Sequence, residues 1–343
     1  MVNLASVAEA QSSLGSYAPV RWKAVIPFPT IPLALSDNAV AMLELIPLTV
    51  AVVFYWHRVM TLSWAGRPVP VWRQVSYGFG LFLASFVLFS PWGYLAEELV
   101  IAHMVEHLVI GDLASLFIVL GLTRSIMQPI LALPYIGRLQ VLANPFVAIP
   151  LWAVNLFFWH IPAMYDAAYG GAIVHGLEHS LFLFFGCLMW MPVFGPLPTP
   201  KWFGPGWKVV YVVVVRFIAA ILGNILMWTQ VELYKNYGEG HLKWGISAIQ
   251  DQSTAGVIMM VEGTFLILGV LAWTFFEAAK QSMQKQELMD LAYNHGVEID
   301  EARIERAVKA GHGYLIEQRI LGDDTDSDEP VLAGDSGTDA TTR

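Results

Sequence analysis

Seven long apolar segments divide the sequence and limit what it can fold into. Each holds about twenty mainly apolar residues, the length that a helix needs to cross the hydrocarbon core of a bilayer. None shows the period-two alternation of a membrane β-strand, so helices are predicted rather than a barrel. The predicted spans are residues 39–57, 74–92, 98–121, 146–161, 172–194, 209–230 and 251–276. The sequence therefore predicts an all-α integral membrane protein whose seven transmembrane helices form a bundle.

The composition agrees with a membrane protein and excludes a disulfide-rich protein or one with a cysteine metal site. Of the 343 residues, 56% are hydrophobic and 14% are charged, whereas a soluble domain carries about a quarter charged residues. The single cysteine, Cys187, lies in an apolar run, which excludes a disulfide framework and a thiolate metal site. The net charge of −9 comes largely from the C-terminal end. The lipid bilayer is therefore a predicted partner, and no nucleic-acid partner is predicted.

Basic residues in alternate loops set the predicted orientation. Those that follow the first, third and fifth spans are Arg58, Arg67, Arg73, Arg124, Arg138, Lys201 and Lys208, and more follow the seventh. Because loops rich in Lys and Arg stay in the cytoplasm, the N-terminus is predicted outside and the C-terminus inside. The predicted parts are an extracytoplasmic or interfacial tail, the seven-helix domain, a cytoplasmic helical extension and an acidic disordered tail, at 1–37, 38–277, 278–320 and 321–343.

Two pairs of histidines lie within the predicted spans. His103 and His107 are four residues apart, as are His175 and His179, so each pair shares one helix face. With the predicted orientation both pairs, and His160 at the end of the fourth span, lie in the outer half of the membrane. Neutral imidazoles one turn apart can chelate a metal ion, and polar groups inside spans are usually functional. These five histidines are the predicted ligands if the pairs face each other, although a ring bonded to a backbone carbonyl is the alternative for His160.

Other side chains near the histidines are candidates for supporting roles. Glu106 and Glu178 each precede a histidine and could accept a hydrogen bond from an imidazole, or simply be caps or surface carboxylates. The further candidates as ligands or supporting groups are Met104, Asp251, Gln252, Met259 and Met260. Thioethers suit Cu(I), but methionine is also ordinary core filler, and Asp251 could cap its own helix. Six polar groups in or near spans are predicted to be interhelical contacts or a relay, namely Glu44, Asp112, Asn155, Arg216, Asn224 and Glu262.

The predicted ligand set favours copper. Histidine with methionine nearby and no thiolate suits copper best and zinc next. Haem is a competitor because helical bundles often hold it between two histidines. A haem needs two axial imidazoles from opposite sides, however, and does not explain two pairs with a spacing of four at one depth.

Three motifs together resemble a known family. They are AHMVEHL on the third span, WHIPAMYDAAYGGAIVHGLEHSLFLFFGCLMW across the fourth and fifth, and DQSTAGVIMM on the seventh. Over roughly residues 40–278 the chain resembles the multi-spanning CtaG-type assembly proteins of bacterial caa-type cytochrome c oxidases. The positions that this resemblance implies to be functional are His103, Met104, His107, His160, His175, Glu178, His179, Asp251 and Gln252.

The resemblance implies a multi-pass protein of the bacterial plasma membrane that is not an enzyme. It would supply or position copper for the catalytic subunit of the oxidase or for its assembly intermediates, with copper chaperones as further partners. Two other functions stay open: a haem- or metal-binding membrane redox protein, and a copper transporter. A transporter would need polar or thioether positions that continue to the inner face, where the sequence has mainly His57.

Overall fold

The structure is a computed structural model that describes residues 38–133, 141–200, 202–309 and 312–322. The predicted N-terminal tail and nearly all of the predicted acidic tail lie outside the described residues. Within the described ranges every regular element is helical, so the predicted all-helical class is confirmed. The helices are α1 (Asn38–Trp64), α2 (Val71–Phe89), α3 (Trp92–Glu98), α4 (Val100–Gly121), α5 (Arg124–Leu131), α6 (Pro145–His160), α7 (Pro162–Gly170), α8 (Ala172–Phe194), α9 (Pro205–Trp228), α10 (Gly238–Trp244), α11 (Ala248–Asn294), α12 (Glu301–Lys309) and α13 (Gly313–Leu321).

Six of these helices are long and apolar enough to cross a membrane, namely α1, α2, α4, α8, α9 and α11. The predicted fourth span corresponds to α6, whose 16 residues measure about 24 Å at 1.5 Å per residue, short of the roughly 30 Å hydrocarbon core. Helices α6 and α7 meet at an angle of 72° and count as a seventh span only if the bent pair is taken together. The fold is therefore a multi-pass helical membrane protein, while the count of seven and the orientation stay predictions.

The bend between α6 and α7 has a local cause in the sequence. Pro162 disfavours helical backbone at the residue before it, and Ile161 is accordingly extended, with φ −66° and ψ 127°. Pro162 itself opens α7, where its missing N–H costs nothing. The bend ends α6 at His160 and turns the chain back toward α8.

Glycines allow close approach at two helix crossings, one of them between α4 and α8, the helices that carry the histidine pairs. A Cβ atom on Gly186 of α8 would lie 2.0 Å from the carbonyl oxygen of Gly111 in α4, and one on Gly256 of α11 would lie 2.5 Å from that of Gly223 in α9. Real Cβ atoms do not tolerate such distances, so these positions require glycine. Small residues at these crossings let backbones pack together where lipid supplies no hydrophobic driving force.

Helix α4 contains a π-helical segment, Val109–Ala114, which begins two residues after His107. Such a segment disturbs the regular backbone ladder and often marks a functional site. Its carbonyls find other donors: the Ser115 hydroxyl donates to the Gly111 oxygen at 2.5 Å, and Trp190 Nε1 donates to the Asp112 oxygen at 2.9 Å. The segment is thereby tied to α8.

Helix α11 extends far beyond the predicted seventh span. Its 47 residues measure about 70 Å at 1.5 Å per residue, so the first part of the predicted extension continues this helix. The helix ends at Asn294, just before Gly296, which has a positive φ of 66°. Helices α12 and α13 pack on the end of α11 through Leu288, Ala292, Ile304, Val308, Ile316 and Ile320.

Candidate metal centre

Asp251 positions the start of α4, the helix that carries the first histidine pair. Its carboxylate oxygens accept hydrogen bonds from the backbone N–H groups of Val100 at 2.8 Å and Ile101 at 2.9 Å. These are first-turn donors that have no partner within the helix. His241 Nε2 lies 3.0 Å from the same carboxylate. Asp251 is fully buried, and it caps α4 rather than its own helix, whose N-cap is Ser247.

Gln252 holds the segment between α9 and α10 against α11. Its side-chain oxygen accepts a hydrogen bond from the Leu233 N–H at 2.9 Å, and its amide nitrogen lies 3.2–3.4 Å from the carbonyl oxygens of Leu226, Thr229 and Val231. Both Asp251 and Gln252 are therefore engaged by backbone groups around the histidine-bearing helices.

The two histidine pairs face each other across the contact between α4 and α8. The His103 and His175 rings are stacked, with centroids 5.6 Å apart, and the His107 and His179 rings lie 5.2 Å apart. Within the first pair, the Nε2 atoms of His103 and His107 are 2.8 Å apart. His103, His107 and His179 are buried and His175 is partly buried. The geometry on which the predicted site depends is therefore present.

Carboxylates cross between the helices to complete two groups of candidate ligands. One ligand atom from each of His103, His107, His175 and Glu178 lies within 4.8 Å of the others, and the same holds for Glu106, His175 and His179. Oε1 of Glu178, on α8, lies 3.6 Å from Nε2 of His107 on α4. Oε1 of Glu106, on α4, lies 4.0 Å from Nε2 of His179 on α8. His175 belongs to both groups, so the two candidate sites adjoin.

The first group fits a metal ion with nitrogen and oxygen ligands. Three imidazoles and one carboxylate supply four donors, the number that zinc takes in tetrahedral sites, and imidazole suits copper equally. Among the described residues, neither Nε2 of His175 nor Oε2 of Glu178 has a hydrogen-bond partner although both atoms are buried. Buried polar atoms are normally satisfied, and a cation bound between these side chains would satisfy them.

His160 lies beside these groups. Its Nδ1 is 2.7 Å from the Leu156 carbonyl oxygen, as in the alternative that the sequence left open. Within the described ranges, the clustered ligand atoms do not include those of His160. The ring contacts Phe182, with centroids 6.4 Å apart, and lines a cavity of about 30 Å³ together with His107.

The three methionine candidates occupy two different places. Met104 and Met259 line the same cavity as His107 and His160. Met260 instead packs against Gly223 at the contact between α9 and α11. Two of the methionines therefore share a cavity with His107 and His160, and the third is part of a helix contact.

Comparison with known proteins identifies the family of the chain. The family model described as cytochrome c oxidase caa3 assembly factor, Caa3_CtaG, matches residues 53–281. The chain belongs to this family. No curated protein and no solved structure matches it. The matched range covers every candidate ligand and ends within α11, so α12 and α13 lie outside it.

This Caa3_CtaG protein also buries an ionic cluster that the sequence did not connect to the site. Arg216 Nη1 is 2.8 Å from Asp112 Oδ2 and 3.5 Å from Glu262 Oε2. The three residues line the cavity that His107 and His160 also line. Charged residues inside predicted spans were a sequence signal that a functional group is present there. The sequence could not show that these residues pair across α4, α9 and α11.

A layer of tyrosines covers the other side of the histidines in this family member. The Tyr165 ring lies 4.9 Å from that of His103 and stacks on that of Tyr234 at 3.9 Å. The hydroxyls of Tyr165 and Tyr237 are 2.5 Å apart, and Tyr234 donates to the His160 carbonyl oxygen at 3.1 Å. Burial raises the pKa of Tyr234 and Tyr237 well above the ordinary tyrosine value, so both stay neutral. Sequence reasoning did not single these tyrosines out.

Proposed function

We propose that this chain binds copper at His103, His107, His175 and Glu178 and helps to deliver or insert it into the caa3-type oxidase. The observation that carries the proposal is the clustering of these four ligand atoms within 4.8 Å, three of them on buried side chains. Membership of a family of oxidase assembly factors supplies the biological setting. The role proposed is that of a non-enzymatic factor, with the ion as cargo.

Copper is favoured over zinc and haem by what surrounds the ligands. Met104 and Met259 line the cavity that His107 and His160 also line, and soft thioether ligands suit Cu(I) better than zinc. A haem needs two axial imidazoles from opposite sides, whereas here three imidazoles and a carboxylate bring their ligand atoms within 4.8 Å of one another. The shared His175 gives an ion two adjoining groups of donors, which suits a protein that hands on its cargo.

The proposed partners follow from the same function. The oxidase catalytic subunit or its assembly intermediates would receive the copper, and copper chaperones would supply it. The proposed location is the bacterial plasma membrane, with the site in the outer half of the bundle. Asp251 supports the site by capping the first turn of α4, in which His103 lies.

Copper binding by purified single variants tests the proposal. His103→Ala and His175→Ala each remove one ligand, and we expect copper affinity to fall by about tenfold or more, because loss even of a group that supports a ligand costs tenfold to a hundredfold. Alanine is apolar and a good helix former, so the amount of protein in the membrane should not change. In the host, oxidase lacking its copper centre should accumulate.

His295→Ala is the matched control, because His295 is exposed beyond the end of α11. It should bind copper as the unaltered protein does. Full copper binding and full oxidase activity in both His103→Ala and His175→Ala would refute the proposal. A Soret band in the purified protein would instead favour a haem-binding redox protein.

A further inference from the structure

Four of the residues that line the cavity beside His107 and His160 carry polar atoms that have no hydrogen-bond partner among the described residues. These atoms are Nδ1 of His107, Nε2 of His160, Nε and Nη2 of Arg216, and Oε1 of Glu262, all of them buried. All four residues line the cavity, whose volume is about 30 Å³. A buried water needs about 10–15 Å³ and two to four polar partners. The cavity is large enough for a water, and four of its lining residues offer buried polar atoms as partners.

We infer that this cavity holds a buried water molecule, and that His160 positions the His107 ring through that water. The inference about His107 rests on the proposed function, since it concerns how a copper ligand is held. It makes His160 a positioning residue rather than a copper ligand.

The directions of the hydrogen bonds are consistent with one water. The carbonyl of Leu156 can only accept, so the His160 Nδ1 at 2.7 Å carries the proton, and Nε2 of the neutral ring accepts. Oε1 of Glu262 can also accept, whereas Arg216 can only donate. If His107 binds the metal through Nε2, the atom nearest His103 and Glu178, its Nδ1 must carry a proton and donate. With one of the two unpartnered Arg216 nitrogens donating, two donors and two acceptors match the two lone pairs and two hydrogens of water.

This arrangement gives His107 the support that metal-binding histidines normally have. Such a histidine donates its other ring N–H to a carboxylate, a carbonyl or a water, which fixes its tautomer and orientation. Here the water would accept from His107 and would itself be held by His160, Glu262 and Arg216. Arg216 is in turn anchored by Asp112 at 2.8 Å. The ionic cluster thereby acquires a role in the geometry of the site.

An experimental density map of the metal-free full-length protein tests the water site directly, provided that its resolution is high enough to show ordered waters. We expect density in the cavity within about 2.5–3.2 Å of His160 Nε2 and of at least one of the other three groups. A cavity filled by a rearranged side chain, or a direct bond between His160 Nε2 and His107, would overturn the inference. This test is independent of copper binding.

Cu(I) affinity, measured against a competing chelator, tests the role of His160. His160→Ala should lower the affinity about 10–100-fold while X-ray absorption counts the same number of imidazole ligands as in the unaltered protein. His160→Gln keeps an acceptor and should recover most of the affinity. The inference fails if the imidazole count falls by one, if Cu(I) affinity is unchanged in His160→Ala, or if Gln gives no recovery. Failure of the unaltered protein to bind Cu(I) would refute the proposed function, and the map would still decide the water site.

Discussion

Removing the carboxylate of Asp251 should destabilise the start of α4. In Asp251→Ala the N–H groups of Val100 and Ile101 lose their acceptor, and so does His241. A buried donor left without a partner costs about 1–3 kcal/mol, so the two backbone groups alone account for about 2–6 kcal/mol. At about 2 °C per kcal/mol for a chain of this size, the melting temperature should fall by at least about 4 °C.

The assay is thermal unfolding of the purified full-length protein in detergent. Asp251→Asn should fall between the alanine variant and the unaltered protein, because its amide oxygen still accepts but the charge that strengthens the bonds is lost. Thr254→Ala is the control, since Thr254 lies one turn along α11 and is exposed. A melting temperature for Asp251→Ala equal to that of Thr254→Ala would refute the argument that Asp251 is a structural cap.

Two further outcomes follow from the buried ionic cluster and from the predicted orientation. Asp112→Ala leaves Arg216 without its closest partner, 2.8 Å away. In a denaturation experiment this variant should be less stable by about 3–5 kcal/mol. An unchanged denaturation midpoint would show that Glu262 alone compensates the charge of Arg216. Leu242 lies between α9 and α11 and is 86% exposed. If this connection is external, as predicted, a cysteine at position 242 should react with a membrane-impermeant thiol reagent in intact cells. Reaction only after permeabilisation would reverse the predicted orientation. Cys187→Ser in the same chain removes the background thiol.

The helices and the histidine pairs were predictable because both depend on short-range patterns. The span predicted at 172–194 coincides with α8, and a spacing of four places two rings on one helix face whatever the tertiary structure. The end of α11 was not predictable from the change in composition near 276. Polar residues mark where a helix leaves the bilayer, but the backbone hydrogen bonds of a helix are internal and continue unchanged into water.

Contacts between distant residues account for what the sequence did not reveal. Asp251 was expected to cap its own helix or to support a metal, yet its two backbone partners lie 150 and 151 residues away at the start of α4. Arg216 and Asp112 are 104 residues apart, and no spacing rule joins them. The i, i+4 spacing of the histidines was enough to identify candidate ligands. The groups that support those ligands could not be identified, because they depend on which helices are neighbours in the fold.

Helix α11 sets a fixed distance between the histidine region and the C-terminal helices. Glu262 lines the cavity beside the histidines, and Leu288 anchors α12 and α13; at 1.5 Å per residue they are about 39 Å apart along one uninterrupted helix. A continuous helix has no hinge at which the two ends could turn independently. Anything that rotates the C-terminal helices about this axis must also rotate Asp251, and with it the carboxylate that holds the first turn of α4.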